Sequence, residues 1–239
     1  QHSSVHHFSW HKGAIIRGDT TKKQIALVFT GDEFADGAHY IYRLLRQQQI
    51  KASFFLTGRF YNNKQFRRAV RRLYRAGHYL GAHSNDHLLY CDWNNRDSLL
   101  VTKAEFNADL DNNYRAMQLL GITQEQAPLF LPPYEWYNDS IAAWTREKGL
   151  QLINFTPGTL SHTDYTTPEM KNYRSSPTIL SSIMNYEQTQ PNGLNGFILL
   201  CHIGTAPARK DKFYWLLPQL LSQLRQKGYT LVTVVQLLH

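Results

Sequence analysis

Two imidazoles, three carboxylates and a late histidine stand where short apolar runs come to an end. His83 and His87 lie four residues apart, immediately behind the run Tyr79 to Ala82. On one helical turn that spacing points both rings the same way. Two imidazoles with a nearby carboxylate make three protein ligands for a divalent ion and leave one position open for water. Asp32 and Glu33 follow the run Ile25 to Phe29 through Gly31, Glu135 belongs to the turn Pro132-Pro133-Tyr134-Glu135-Trp136-Tyr137 behind Leu129 to Leu131, and His202 closes Phe197 to Cys201. An ion to polarise a carbonyl, a carboxylate to take a proton from water and a histidine to return one are the parts of a hydrolytic site. An H-x-x-x-H pair alone is as readily structural as ligating; its place behind a buried run, and the other groups, favour the ligating role.

These positions require a scaffold that gathers strand ends. Seven runs have strand length: Ile25 to Phe29, Ala52 to Leu56, Tyr79 to Ala82, Leu129 to Leu131, Gln151 to Phe155, Phe197 to Cys201 and Tyr229 to Val235. Helical periodicity fills the intervals, over Ala38 to Gln49, Lys64 to Ala76, Lys103 to Leu120, Asn138 to Lys148, Pro177 to Tyr186 and Lys212 to Lys227. Such alternation calls for a mainly parallel sheet with helices outside, and runs without polar alternation are strands buried on both faces. A closed or nearly closed α/β barrel fits better than an open doubly wound sheet, because no Gly-rich phosphate turn follows Phe29. In a barrel the functional groups collect where strands end. Leu88 to Thr102 and Pro157 to Ser176, rich in aromatic and polar residues, break the rhythm and are expected as loops over a site.

At 42% hydrophobic and 13% aromatic over 239 residues, the chain is neither disordered nor collagen-like and can build one large core. Cys91 and Cys201 match no zinc-finger spacing and cannot form a disulfide scaffold, so they are expected to be buried thiols. No stretch approaches the roughly 18 consecutive apolar residues of a membrane span. The net charge is +8, from 26 basic and 18 acidic residues. Arg59, Lys64, Arg67, Arg68, Arg71, Arg72 and Arg75 lie together without an acid among them, on a segment whose Phe66, Ala69, Val70 and Leu73 recur at helical spacing. They read as the solvated face of an amphipathic helix, and no nucleic-acid partner is expected.

Five ordered motifs resemble the polysaccharide deacetylases, the NodB-homology domains of carbohydrate esterase family 4. Ile25 to Phe29 is similar to the family's "ALTFDDG" strand, Lys51-Ala52-Ser53-Phe54-Phe55-Leu56-Thr57-Gly58 to its "KATFF..G" strand, and Gly77 to His87 to its "G.E.G.H(S/T)..H" segment. Leu131-Pro132-Pro133-Tyr134 looks like its "RPPY" and Leu199-Leu200-Cys201-His202 like its "L..H". The resemblance implies a distorted (β/α) barrel of about seven parallel strands over residues 23–239, with residues 1–22 as an extension packing on it. It also implies metal-assisted removal of N- or O-acetyl groups from a glycan. His83 and His87 are then ligands of one divalent ion, most often zinc with nickel or cobalt possible, Tyr134 marks the oxyanion turn and His202 is the general acid.

The first motif departs from this pattern. Thr30 and Gly31 occupy the places of the family's base and metal-binding aspartates, Leu131 replaces its Arg, and Asn154 stands near where it has an Asp. A turn at Gly31 that brings Asp32 to the ion makes Asp32 the expected third ligand, and Glu33 the expected base, with Asp32 and Glu135 as other carboxylates for that task. Loss of the base together with its Arg is coherent, since a buried Arg without a partner is costly. Glu135, Trp136 and Trp93, with Tyr90 and Tyr137, are expected around the sugar, where flat rings stack and polar edges bond hydroxyls. Trp144, Phe54 and Phe55 are expected in the core. The whole reads as a secreted or periplasmic, monomeric deacetylase acting on an acetylated polysaccharide or oligosaccharide. The alternative is a NodB-like carbohydrate-binding module that has lost turnover.

Overall fold

The computed structural model describes residues 7–239. A short hairpin, β1 (Ser9–His11) and β2 (Ala14–Arg17), precedes strand β3 (Gln24–Gly31). Strands and helices then alternate as α1 (Ala38–Gln48), β4 (Ser53–Leu56), α2 (Gly58–Asn62), α3 (Arg67–Arg75), β5 (Tyr79–Ala82), α4 (Lys103–Gln118), β6 (Leu129–Phe130), α5 (Asp139–Glu147) and β7 (Gln151–Leu152). The chain ends with α6 (Ser176–Thr189), β8 (Phe197–His202), α7 (Leu217–Gln226), β9 (Thr230–Val232) and α8 (Val234–Leu237).

Strands β3 to β9 run parallel and curl into a half-barrel in the order β8-β3-β4-β5-β6-β7, with β9 beside the first half of β3. Ile25 to Phe29 are fully buried, as a run without polar alternation must be when both sheet faces are covered. The hairpin lies across the remaining gap: Arg17 of β2 pairs with Phe197 of β8, while Ile15 bridges to Ile153 just past β7 and accepts the Asn154 N–H at 3.0 Å. Residues 1–6 of the expected extension lie outside the described residues.

The register brings the site together. Thr30 pairs with His202 on one side and Phe55 on the other, Gly31 with Leu56, Leu56 with Ala82 and Ala82 with Phe130. Parallel strands in this register send the loops after β3, β4, β5, β6 and β8 out at one end, where side chains distant in sequence converge.

Two elements differ from the sequence expectation. The run Tyr229 to Val235 is strand only over Thr230–Val232; Thr233 then caps α8 by accepting the Gln236 N–H while the Gln236 side chain accepts the Thr233 N–H, a capping box that overrides the β propensity of the valines. Helix α2 is an added element, started by Thr57, which accepts the Phe60 N–H. Gly58 is required there: a Cβ would fall 1.7 Å from Asn85 Oδ1. The absence of that carbon lets the loop after β5 lie against α2, with Gly58 and Arg59 N–H donating to the Ser84 and Asn85 carbonyls. Cys91 and Cys201 are buried free thiols, and among the described residues no helix is long and apolar enough to cross a membrane.

Candidate active site

His83 and His87 occupy a loop rather than a helical turn, and two left-handed residues, Ser84 (φ 71°) and His87 (φ 52°), set its course. The rings still meet, with centroids 5.1 Å apart at 67°. Helix α4 holds the loop from behind: the buried Asp109 carboxylate accepts from the Ser84 hydroxyl and from the N–H groups of Asn85 and Asp86, and Asn113 accepts the His83 N–H. His83 Nδ1 bonds the Leu131 carbonyl at 2.7 Å, which makes Nδ1 the protonated nitrogen and leaves the Nε2 lone pair for a ligand. Burial pushes His83 well below the ordinary imidazole range and His87 down to about 4, with the charge of Asp32 opposing the change at His87. Both rings are neutral at physiological pH, the state in which imidazole ligates.

A second group assembles across the cavity from three separate elements. His202 Nδ1 pairs with Asp164 Oδ1 at 2.6 Å, and Asp164 Oδ2 accepts the His202 backbone N–H at 2.8 Å. Burial alone would lower the His202 pKa; Asp164, by its charge and this hydrogen bond, and Glu135 raise it above the ordinary value. Glu135 lies in the turn after β6, where Tyr134 (φ 58°) and Glu135 (φ 52°) are consecutive left-handed residues, a conformation costing on the order of 1–3 kcal/mol per non-glycine residue. The turn is closed by Glu135 and Trp136 N–H on the Pro132 and Pro133 carbonyls, bonds that do not use the Tyr134 N–H. Asn154 Nδ2 donates to the Glu135 carbonyl at 3.1 Å and fixes the strained residue. The Glu135 Oε1 is shielded from solvent and has no hydrogen-bond partner. Burial lifts its carboxyl to about 7, with the charge of His202 working downward and that of Asp164 upward.

Asp164 rides on a 3-10 turn (Ser161–Tyr165) inside the insertion 157–176, and that insertion is pinned by a fully buried arginine. Arg209 donates to the carbonyls of Thr166 and Arg174, to the Ser176 hydroxyl and to the Asp211 carbonyl. The loop that carries the carboxylate orienting His202 is therefore tied at Thr166, Arg174 and Ser176 to the segment around Asp211.

The segment after β3 behaves differently. Asp32 accepts from the Thr57 hydroxyl at 2.9 Å and from Arg59 through both Nε and Nη2, a fork-on-carboxylate pairing. Glu33 is exposed at the cavity rim. Thr30 is buried with its hydroxyl unpartnered, and Asp36 braces the fold by accepting the Thr205 N–H and the Tyr214 hydroxyl. For a divalent ion, His83 and His87 have the right chemistry, and His83 is held in the tautomer that leaves Nε2 free. Asp32 carries the right chemistry but is taken up by Arg59, and among the described residues no three His, Cys, Asp or Glu side chains converge on one point.

His83, His87, Asp32, Glu33, Glu135 and His202 all line one cavity of about 1000 Å³, with Asp164 behind His202. Trp93 lies 5.5 Å from Trp136 and edge-on to Tyr134 at 5.7 Å, and Tyr134 packs on His87 at 4.4 Å, so the aromatic wall is continuous with the imidazole pair. Trp93 and Tyr134 are about half exposed and present free ring faces. Tyr90 does not join them: it is fully buried against Phe106 in the core. Tyr137 is buried too, its hydroxyl bonded to the His11 carbonyl, and contributes only to the cavity wall. Phe54 and Phe55 are in the core, and Trp144 packs against it beside Phe106.

Residues 17–153 match the polysaccharide deacetylase family model. The chain belongs to the polysaccharide deacetylase family. It is 24% identical over 232 residues to a peptidoglycan-N-acetylglucosamine deacetylase of Bacillus cereus, covering 95% of this chain and 73% of that protein. It is also 25% identical to the uncharacterized protein YlxY of Bacillus subtilis, covering 98% of this chain and spanning 63% of the length of that relative. Among solved structures, a peptidoglycan N-acetylglucosamine deacetylase superposes with a TM-score of 0.74 at 20% identity, covering 93% of this chain and 91% of that one. A carbohydrate esterase family 4 pseudoenzyme of Bacillus anthracis superposes with a TM-score of 0.71 at 20% identity, covering 96% and 70%. A mutant of that pseudoenzyme is described as having restored enzymatic activity.

Within this deacetylase fold, sequence reasoning missed two residues. Asp164 carries no local pattern, and only its place in a polar insertion pointed toward the site. Arg59 was legible as part of a basic run but not as the partner of Asp32, a pairing made by the short helix α2.

Proposed function

We infer that this chain is a metal-dependent carbohydrate deacetylase in which Glu135 replaces the missing base. The observation that carries this reading is Glu135 itself: a carboxyl with an unpartnered, solvent-shielded oxygen, poised near neutrality, electrostatically linked to a histidine that a second carboxylate orients. Glu33, exposed at the rim, is the weaker candidate.

His83 and His87 are the residues to hold a divalent ion, zinc by the donor chemistry with nickel and cobalt as alternatives, and Asp32 is the third donor once Arg59 releases it. Such an ion, when bound, supplies Lewis-acid polarisation of the acetyl carbonyl. The chain's own groups do the rest. Trp93, Tyr134 and Trp136 stack on the sugar and place its acetyl group over the cavity floor. Ionised Glu135 takes a proton from the attacking water, and the Tyr134 N–H is the donor available to the oxyanion. His202, kept protonated by Asp164, gives its proton to the departing sugar oxygen or nitrogen. The substrate is an acetylated polysaccharide or oligosaccharide outside the cytoplasm, and the chain acts as a monomer.

Acetate release from acetylated xylan and from N-acetylchitohexaose, measured with zinc added, tests this reading. Release that disappears in Glu135→Gln and in His202→Ala supports it. Glycan binding without acetate from either polymer at any metal loading identifies a binding module instead. Full metal occupancy in the His83→Ala/His87→Ala double variant overturns the ligand assignment.

A further inference from the structure

The chain's charge is concentrated in one block. Gly37 to Asn85 contains ten Lys or Arg and no Asp or Glu, while the remainder carries sixteen basic against eighteen acidic residues, so the net +8 is +10 from this block and −2 from everything else. In the structure seven of the ten lie on two helices, Arg43 and Arg46 on α1 and Arg67, Arg68, Arg71, Arg72 and Arg75 on α3. Arg72 of α3 touches His39 of α1 (3.4 Å) and lies over the Tyr42 ring at 5.0 Å, so the two helices stand side by side. Helical spacing then aligns His39, Arg43 and Arg46 in one row of α1 beside Arg68, Arg72 and Arg75 of α3. Arg43, Arg46, Arg67, Arg68, Arg71 and Arg75 are all exposed, and none of them is in an ion pair among the described residues. Tyr40 and Tyr74 are partly exposed on the same two helices.

This surface joins the cavity. Arg59 of α2 lines the cavity, and α3 follows α2 after four residues. At the other edge, His39 opens α1 directly after the loop that carries Asp32 and Glu33. A polymer with one sugar over the imidazole pair continues across the protein surface, and this face offers exposed guanidinium groups that no carboxylate neutralises among the described residues. Guanidinium forks match carboxylates, and helix rows four residues apart rise about 6 Å, comparable to one sugar residue.

We propose that the face formed by α1 and α3 is the docking track of an acidic, carboxylate-bearing glycan whose acetylated residue enters the cavity. The proposal rests on the deacetylase reading for the sugar in the cavity and specifies the class of polymer attached to it: a polyuronate in preference to a neutral glucan or xylan.

Acetylated polygalacturonate and acetylated xylan, matched in acetyl content, are the acidic and neutral probes, and binding to the full chain is measured directly by titration calorimetry. The triple variant Arg67→Glu/Arg68→Glu/Arg71→Glu, three exposed residues outside the catalytic groups, is expected to bind polygalacturonate at least about tenfold more weakly and xylan unchanged, with a shallower salt dependence than wild type. Arg67→Lys/Arg68→Lys/Arg71→Lys retains most of the affinity, and a matching thermal melt for both variants separates lost docking from lost folding. Equal wild-type affinity for the two polymers overturns the proposal, as does undiminished binding in the charge-reversed variant. Tighter binding of duplex DNA than of polygalacturonate at about 0.15 M salt also overturns it, in favour of a nucleic-acid surface. Binding is read without turnover, so absence of acetate release counts against the deacetylase reading and leaves the docking track to be judged by its own titrations.

Discussion

The two sides of the cavity are built by opposite means. The imidazole side comes from one continuous stretch, Ala82 to His87, held by α4 through Asp109 and Asn113, by the first N–H groups of α2 and by the Leu131 carbonyl, and both rings are held neutral. The proton-transfer side draws Glu135, Asp164 and His202 from three elements spread over 68 residues, and keeps a carboxyl protonated near neutrality beside a histidine that resists losing its proton. A site that depends on one loop tolerates change elsewhere in the fold; one that depends on three converging elements can be retuned by moving any of them. On the proposed reading, this is how the fold holds Thr30 and Leu131 where the resemblance implies a base and an arginine and still offers Glu135 and His202 for proton transfer.

The largest test of this contrast is Glu135→Gln. Its kcat falls by roughly 10²–10⁴-fold if Glu135 is the base, and the rise of kcat/KM with pH through about 7 disappears. The same variant gains stability. A carboxyl raised to about 7 in the fold favours the native state only while protonated, so its ionisation removes stability as pH rises from the unfolded value through 7, and the amide is exempt. A Tm at pH 8 that rises while activity collapses marks a group kept for chemistry; a Tm that falls makes Glu135 structural.

Asp164→Asn is the next largest, about 10–100-fold in kcat. Asp164 raises the His202 pKa, so its loss moves the alkaline fall of the pH profile to lower pH. An unchanged alkaline limb removes Asp164 from the mechanism.

On the imidazole side the informative variant is Arg59→Ala. Freed from its fork, Asp32 becomes available to the ion, and zinc affinity measured by chelator competition rises about tenfold. Lower affinity shows instead that Arg59 positions Asp32 for ligation.

The smallest effect lies away from the cavity. Burial lowers His78 to about 4 and its Nδ1 accepts the Ala52 N–H, so native stability is present above the ordinary imidazole value of 6.5 and is lost as pH falls toward 4. His78→Gln softens that acid loss in a pH series of thermal melts and leaves the kcat profile unmoved.

How much of this the sequence disclosed follows the same division. The apolar runs without alternation predicted the parallel sheet, and the five ordered motifs predicted the family and the imidazole pair, because those signals are contiguous. The geometry of the pair was misread as a helical turn: nothing local distinguishes that from a loop whose Ser84 and His87 are left-handed. Tyr90, drawn as a sugar platform from its place beside the motif, is core, since burial depends on what packs from α4. Asp164 was invisible because its meaning comes from contact with a residue 38 positions away, through an insertion whose fold no local pattern encodes.

That insertion has a consequence for engineering. Because a wholly buried guanidinium ties Thr166, Arg174 and Ser176 to the segment around Asp211, the hydrogen-bonded amides of Thr166, Arg174 and Ser176 are expected to exchange more slowly than those of the exposed stretch 168–172, which a hydrogen-exchange measurement checks. Loop grafting from a relative therefore succeeds only when both segments travel together with Arg209. Replacing the insertion alone in this chain leaves the Arg209 guanidinium buried without its acceptors and releases His202 from the Asp164 carboxylate.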